Sequence, residues 1–177
     1  MKTYHFLDGS QIDVEDNVCR GCYLETASLL PEELNPIVSN NNFVIRQDAE
    51  CPVPAFFILA TKAHINTFAD LNDEMAMEIG LIIRTARSIM KEHLNIERIH
   101  IFLEERMINP HLHIWLLPLW SDVMKKNNID PKIWNGNIKT YLDLFHYTET
   151  KSVIKKYNTI MRDACLSNTV FRKYGYK

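Results

Sequence analysis

From His111 to Leu117 the chain reads His-Leu-His-Ile-Trp-Leu-Leu without a turn former, held between Pro110 and Pro118. Such a run is best satisfied as a half-buried strand. Strand side chains alternate between faces, so His111, His113 and Trp115 are expected on one side, and Leu112, Ile114 and Leu116 on the other. Same-face neighbours lie roughly 6.5–7 Å apart. That is too far for two imidazoles to touch. It is near enough for adjoining tasks, one as a metal ligand and one facing a substrate. The plainer alternative is a pair of histidines on a solvated face, and the rest of the chain must decide.

Around this strand the hydrophobic period changes character several times. Ile37-Val38 and Phe43-Val44-Ile45 read as strands on either side of an Asn40-Asn41-Asn42 turn. Ala55 to Ala60 is a continuous apolar run, a strand buried on both faces, and Pro52 and Pro54 make the segment before it a rigid loop. Between Asn72 and Leu94 the residues Met75, Ile79, Ile82, Ile83, Ala86, Ile89 and Met90 recur at three and four. This predicts one long helix, with Asp70 or Asn72 as its N-cap and Glu78, Arg84, Arg87 and Lys91 off the apolar stripe. Arg98 to Leu103 alternates as a strand, and a turn over Glu104–Ile108 leads into the histidine strand as a hairpin. Residues 1–18 suggest a short hairpin or arm, and Glu25 to Leu34 a short helix. The order predicts an α+β domain with an antiparallel sheet over residues 1–120. Beyond Trp120, helical segments at 122–126, 138–145 and 151–164 predict a helical C-terminal extension over residues 121–177. Its aromatic and basic end, Phe171 to Lys177, is expected to pack as an arm.

Composition removes several function classes. A formal net charge of −2 argues against a broad basic footprint, so no nucleic-acid partner is expected. No stretch approaches a membrane span, and Met1–Asp8 carries no apolar run of signal-peptide length, so no membrane partner and a cytoplasmic location are expected. The 5 glycines, none between Gly80 and Gly136, exclude a glycine-rich phosphate loop. The 4 cysteines are too few and too unevenly placed for a disulfide framework. Cys19-Arg20-Gly21-Cys22 stays open among three readings: ordinary thiols, a redox pair, or half of a metal knuckle that needs two more ligands.

Four landmarks between residues 19 and 120 resemble the histidine-triad superfamily, which includes the nucleotide-cleaving triad proteins and the galactose-1-phosphate uridylyltransferases. The first is Pro110-His111-Leu112-His113-Ile114-Trp115-Leu116-Leu117-Pro118, similar to the family's triad strand, with Asn109-Pro110 nearer the uridylyltransferase branch. The second is Phe57 to His64, like the strand and Lys-x-His that precede the family's long helix. The third is Asp48, placed like the family's ribose-holding acid, and the fourth is Cys19-x-x-Cys22. The resemblance implies a structural zinc on Cys19, Cys22, His64 and His111, a donor set that suits a closed tetrahedral site. It implies His113 as nucleophile, forming a nucleotidyl-histidine on a nucleoside phosphate or nucleotide-sugar-like substrate. Asp48, Asn109 and Trp115 become nucleotide-binding candidates, the activity that of a nucleotide hydrolase or nucleotidyltransferase, and the assembly a homodimer.

Two departures from the family pattern point to the alternative of a non-catalytic nucleotide-binding or regulatory protein. Trp115 stands at the third triad position, where an indole donates but cannot shuttle a proton. The turn Glu104-Glu105-Arg106-Met107-Ile108 is short and acidic, so its carboxylates are expected to repel a phosphate, with Arg106 compensating in part.

Overall fold

Alternation in the middle of the chain resolves into one antiparallel sheet in a computed structural model that describes residues 1–28, 30–108, 110–131 and 137–177. Its strands are β3 (Val38–Ser39), β4 (Phe43–Gln47), β5 (Phe57–Thr61), β6 (Ile99–Leu103) and β7 (His113–Pro118), in the order β3-β4-β5-β7-β6. A separate hairpin of β1 (Lys2–His5) and β2 (Gln11–Val14) precedes them. Its turn uses Gly9 at φ 83°, a conformation that favours glycine. Tyr4, Phe6, Leu7 and Val14 close over Leu34 and Ala49 as a small second core.

The register decides what each sheet face carries. Ile58 pairs with Arg46 on one side and Trp115 on the other, while Ala60 pairs with Val44 and His113. These side chains share one face. Phe43, Ile45, Phe57, Leu59, Ile114 and Leu116 take the other and join the main core. Helix α2 (Asp73–Leu94) lies over that second face with Ile79, Ile82, Ala86, Ile89 and Met90 buried. Each fully buried side chain of this kind stabilises the fold by about 1.5–3 kcal/mol relative to exposure. Asn72 caps α2 by accepting the Met75 N–H at 2.9 Å. Asp73 and Glu74 lie in its first turn and Lys91 and His93 in its last, matching the helix dipole. The helix stops where Asn95 turns left-handed at φ 56°.

Residues after Trp120 form α3 (Ser121–Lys126), α4 (Ile138–Leu142), α5 (Tyr147–Ser167) and α6 (Thr169–Lys173). Helices α5 and α6 contribute Met161, Ala164, Cys165 and Phe171 to the main core, beside α2. The arm beyond them packs as expected: Ser39 and Lys177 exchange both backbone hydrogen bonds at 3.0 Å.

Four expectations need correction. Strand β5 starts at Phe57 and is buried on one face only, with Ile58 and Ala60 half-buried on the other. The first helix does not span Glu25 to Leu34, and the Cys19–Cys22 segment is not a loop before it. It is itself the start of α1 (Arg20–Thr26), because Cys19 caps that helix by accepting the Cys22 N–H on its sulfur at 3.2 Å. Only a 3-10 turn at Glu32–Leu34 remains of the later segment. His111 precedes β7 instead of lying within it, although Leu112 still bonds to Thr61 and Ile65 through its backbone. Glu78, assigned to the polar side of α2, is 1% exposed. Its carboxylate accepts from Asn40 Nδ2 at 2.6 Å, Asn42 Nδ2 at 2.9 Å and the Tyr176 hydroxyl at 3.1 Å, so the C-terminal arm supplies part of what makes its burial tolerable.

Candidate functional site: a cysteine–histidine corner beside an open cleft

Helix α1, the segment after β5 and the segment before β7 converge at one corner. Cys19 Sγ lies 3.3 Å from His64 Nδ1 and 3.2 Å from His111 Nδ1; Cys22 Sγ lies 3.3 and 3.7 Å from the same two nitrogens. All four donor atoms fall within 4.8 Å of one another. Around a tetrahedral zinc, sulfur and imidazole nitrogen would be about 3.6 Å apart. The set therefore fits this metal. The His111 ring supports the same conclusion: its Nε2–H donates to the Thr61 carbonyl at 2.7 Å, which leaves the Nδ1 lone pair for the corner. Close packing reinforces it. A Cβ on Gly21 would sit 2.4–2.6 Å from the His111 ring, so only glycine lets α1 approach this closely. Burial and the neighbouring Cys19 push the Cys22 thiol up, and a bound dication would reverse that preference.

Next to this corner the open sheet face and α1 line a cleft that opens to solvent. Its floor is Val44, Arg46, Ile58, Ala60, His113 and Trp115, as the register requires. His113 Nδ1–H donates to the carbonyl of His111 at 2.7 Å, so Nε2 is the nitrogen with a free lone pair. Burial pulls the His113 pKa down, opposed by that backbone bond, and Arg106 pulls it further. Trp115 is held edge-on by Phe56 at 5.4 Å and Phe102 at 6.1 Å between ring centroids.

The acidic turn behaves differently from its composition. Glu105 accepts the Phe68 backbone N–H at 2.9 Å, and Glu104 pairs with Arg106 at 2.8 Å. Arg106 is the member of this group that lines the cleft. The anticipated repulsion is therefore reduced, and a cation faces the His113 side.

Asp48, directly after β4, lines the cleft and also caps its own turn: Oδ1 accepts from Glu50 N at 2.9 Å and Cys51 N at 2.7 Å. Burial is the main reason its pKa is raised to about 6, offset by those two N–H groups. Asn109 lies outside the described residues. Arg20, Glu25 and Arg46, also on the cleft, were not anticipated from sequence. The one available signal was Arg46 itself, a charge directly after the apolar run Phe43–Ile45.

No protein-family model matches the sequence, and no curated protein matches it. Solved structures do resemble its fold. A hypothetical histidine triad nucleotide-binding protein from Sulfolobus tokodaii strain7 superposes with TM-score 0.57 at 14% identity, over 82% of this chain and 91% of that one. A Hit-like protein involved in cell-cycle regulation from Bartonella henselae gives TM-score 0.56 at 14% identity, over 86% and 99%. A zinc-bound histidine triad family protein from Mycobacterium smegmatis gives 0.53 at 14%, over 85% and 97%. The fold is the histidine-triad fold. His113 and Trp115 both lie on β7 with their side chains on the cleft face. The likeness to uridylyltransferases gains no support from these structures. Among the described residues, no helix is long and apolar enough to cross a membrane.

Proposed function

We propose that this chain binds a nucleoside phosphate in the cleft and cleaves it through His113. The observation that carries this reading is the His113 hydrogen bond to the His111 carbonyl, which commits Nδ1 as donor and presents Nε2 as the nucleophilic nitrogen. Nε2 attacks the α-phosphorus; the P–N bond forms as the bond to the leaving group breaks. Water or a phosphate acceptor then attacks the same phosphorus, and the P–N electron pair returns to Nε2. Arg106, which lines the cleft with His113, would meet charge on the phosphoryl oxygens, and the second oxygen of Asp48 would accept from ribose hydroxyls. Cys19, Cys22, His64 and His111 would hold one structural zinc, which fastens α1 to the start of β7 and so fixes one wall of the cleft. The histidine triad structure from Sulfolobus tokodaii is described as nucleotide-binding and that from Mycobacterium smegmatis as zinc-bound, and both support the reading.

A second reading, a nucleotide-binding protein without chemistry, is favoured by Trp115. Its ring is wedged by Phe56 and Phe102 and offers no group that could protonate a leaving group. One experiment separates the two. The zinc-loaded protein is mixed with a nucleoside 5′-phosphate bearing a nitrophenolate leaving group, quenched in alkali, and mapped by mass spectrometry. A nucleotidyl mass on His113, absent from His113→Ala, supports catalysis. Tight binding by calorimetry with neither adduct nor release selects the binding-only reading. The homodimer is supported by edge strand β6, whose Ile101 and Leu103 are 50% and 42% exposed on the α2 face, and is tested by sedimentation.

A further inference from the structure

The far part of the cleft floor carries a charged pair that the phosphoryl chemistry does not use. Arg46 lies two strands from β7, about 10 Å across the sheet, in the row Arg46–Ile58–Trp115. Its guanidinium side chain is 3% exposed. Nη1 donates to the Leu24 carbonyl at 3.1 Å and the Leu34 carbonyl at 3.3 Å, and Nη2 to Glu25 Oε1. Glu25 lines the cleft with 16% of its side chain open. Its second oxygen makes no hydrogen bond among the described residues. Leu24, Val44 and Ile58 line the same cleft and offer apolar surface to a flat ring. A carboxylate fixed by a buried cation thus lines the same cleft as these apolar side chains and as His113.

We propose that Glu25 reads the base edge and selects guanine. A carboxylate only accepts hydrogen bonds. Guanine presents two adjacent donors, N1–H and the 2-amino group, which a carboxylate can accept in a bidentate pair. Adenine presents a lone pair at N1 and cytosine one at N3, each facing the carboxylate unfavourably. Uracil offers a single N–H flanked by two carbonyl oxygens. Arg46 holds the carboxylate in place before the ligand arrives, so little ordering is left for binding. This assignment rests on the nucleotide reading above and deepens it.

The test is calorimetry of the full zinc-loaded chain with GMP, IMP, AMP and UMP. GMP should bind more tightly than AMP by roughly 10–100-fold, the discrimination a bidentate base contact provides, with IMP between them because it lacks the 2-amino donor. Glu25→Gln keeps an oxygen for Arg46 and turns an amide N–H₂ toward the ligand, so it should weaken GMP and strengthen AMP until the preference is lost or inverted. If that variant melts well below the wild type, the GMP-to-IMP ratio of the wild type decides alone. GMP, IMP and AMP binding equally would overturn the guanine assignment and leave the nucleotide reading intact. Binding of none of the four would overturn both.

Discussion

His111 and His113 sit two residues apart and use the same device with opposite outcomes. Each donates one ring N–H to a backbone carbonyl at 2.7 Å. His111 does so through Nε2, to Thr61, and His113 through Nδ1, to His111 itself. A carbonyl only accepts, so each bond dictates the tautomer and leaves the other nitrogen with its lone pair. For His111 that nitrogen turns into a closed set of sulfur and nitrogen donors. For His113 it belongs to a side chain on an open cleft. On the proposed function, the difference between a structural and a reactive imidazole would be made by which ring edge the backbone engages. Substitutions at the two places should separate accordingly.

The largest effect is expected at the closed corner. Metal analysis should find about one zinc per chain, and Cys19→Ser or chelation should lower the melting temperature sharply, because structural zinc contributes about 10–16 kcal/mol in zinc-finger peptides. An unchanged melt after metal removal would dissolve the contrast, leaving two ordinary histidines. His113→Ala comes next and should do the reverse. Turnover should fall by about 10⁴-fold or more while zinc content and melting temperature stay near wild type. A variant that loses zinc instead would show that the two rings form one structural unit.

Trp115 tests whether the open histidine lacks a partner. General acid help is worth roughly 10²–10⁴-fold. The wild type should therefore cleave activated phenolate or anhydride substrates far better than phosphoramidates or sugar esters. Trp115→His should narrow that gap, and Trp115→Phe, which keeps an aromatic ring between Phe56 and Phe102, should not. Equal improvement by both variants would assign the wild-type limit to space in the cleft.

How much of this was legible depended on how local each cause is. The strands and α2 were readable because burial repeats at 2 or at three and four residues along the segment itself. The Asn72 cap was readable for the same reason, since its partner Met75 is three residues on. Pairing Cys19 with His111 bridges 92 residues, and only the resemblance supplied it. Glu78 was misplaced because its donors come from 38 and 98 residues away, and a carboxylate without visible partners belongs on the surface by default. The start of α1 was missed because a cysteine sulfur makes an unusual N-cap. Glu105 was misjudged for a different reason: its capping of Phe68 depends on two loops meeting in space.

The smallest effect belongs to Asp48, where turn capping and ligand binding share one carboxylate. Oδ1 holds two backbone N–H groups, so a ribose would use the remaining oxygen. The folded pKa, raised to about 6 chiefly by burial, lies above the ordinary 3.8. The folded chain therefore binds more protons than the unfolded one between these values. The group's contribution to stability is fully present below about pH 4 and is lost as pH rises through about 6. The shift corresponds to at most about 3 kcal/mol, at roughly 1.4 kcal/mol per unit, and solvent at the cleft reduces it. Asp48→Asn keeps an oxygen for the turn and removes the buried charge, so its stability relative to wild type should improve from pH 4 to 7. Nucleoside binding should move the opposite way in the wild type, strengthening over the same range as the carboxylate gains its full acceptor capacity. A free nucleoside is the right probe, since a phosphate monoester itself titrates near pH 6. In Asp48→Asn the affinity should be weaker and flat with pH. Equal affinity in both proteins at pH 7, with only the stability slopes differing, would make Asp48 a turn cap and nothing more.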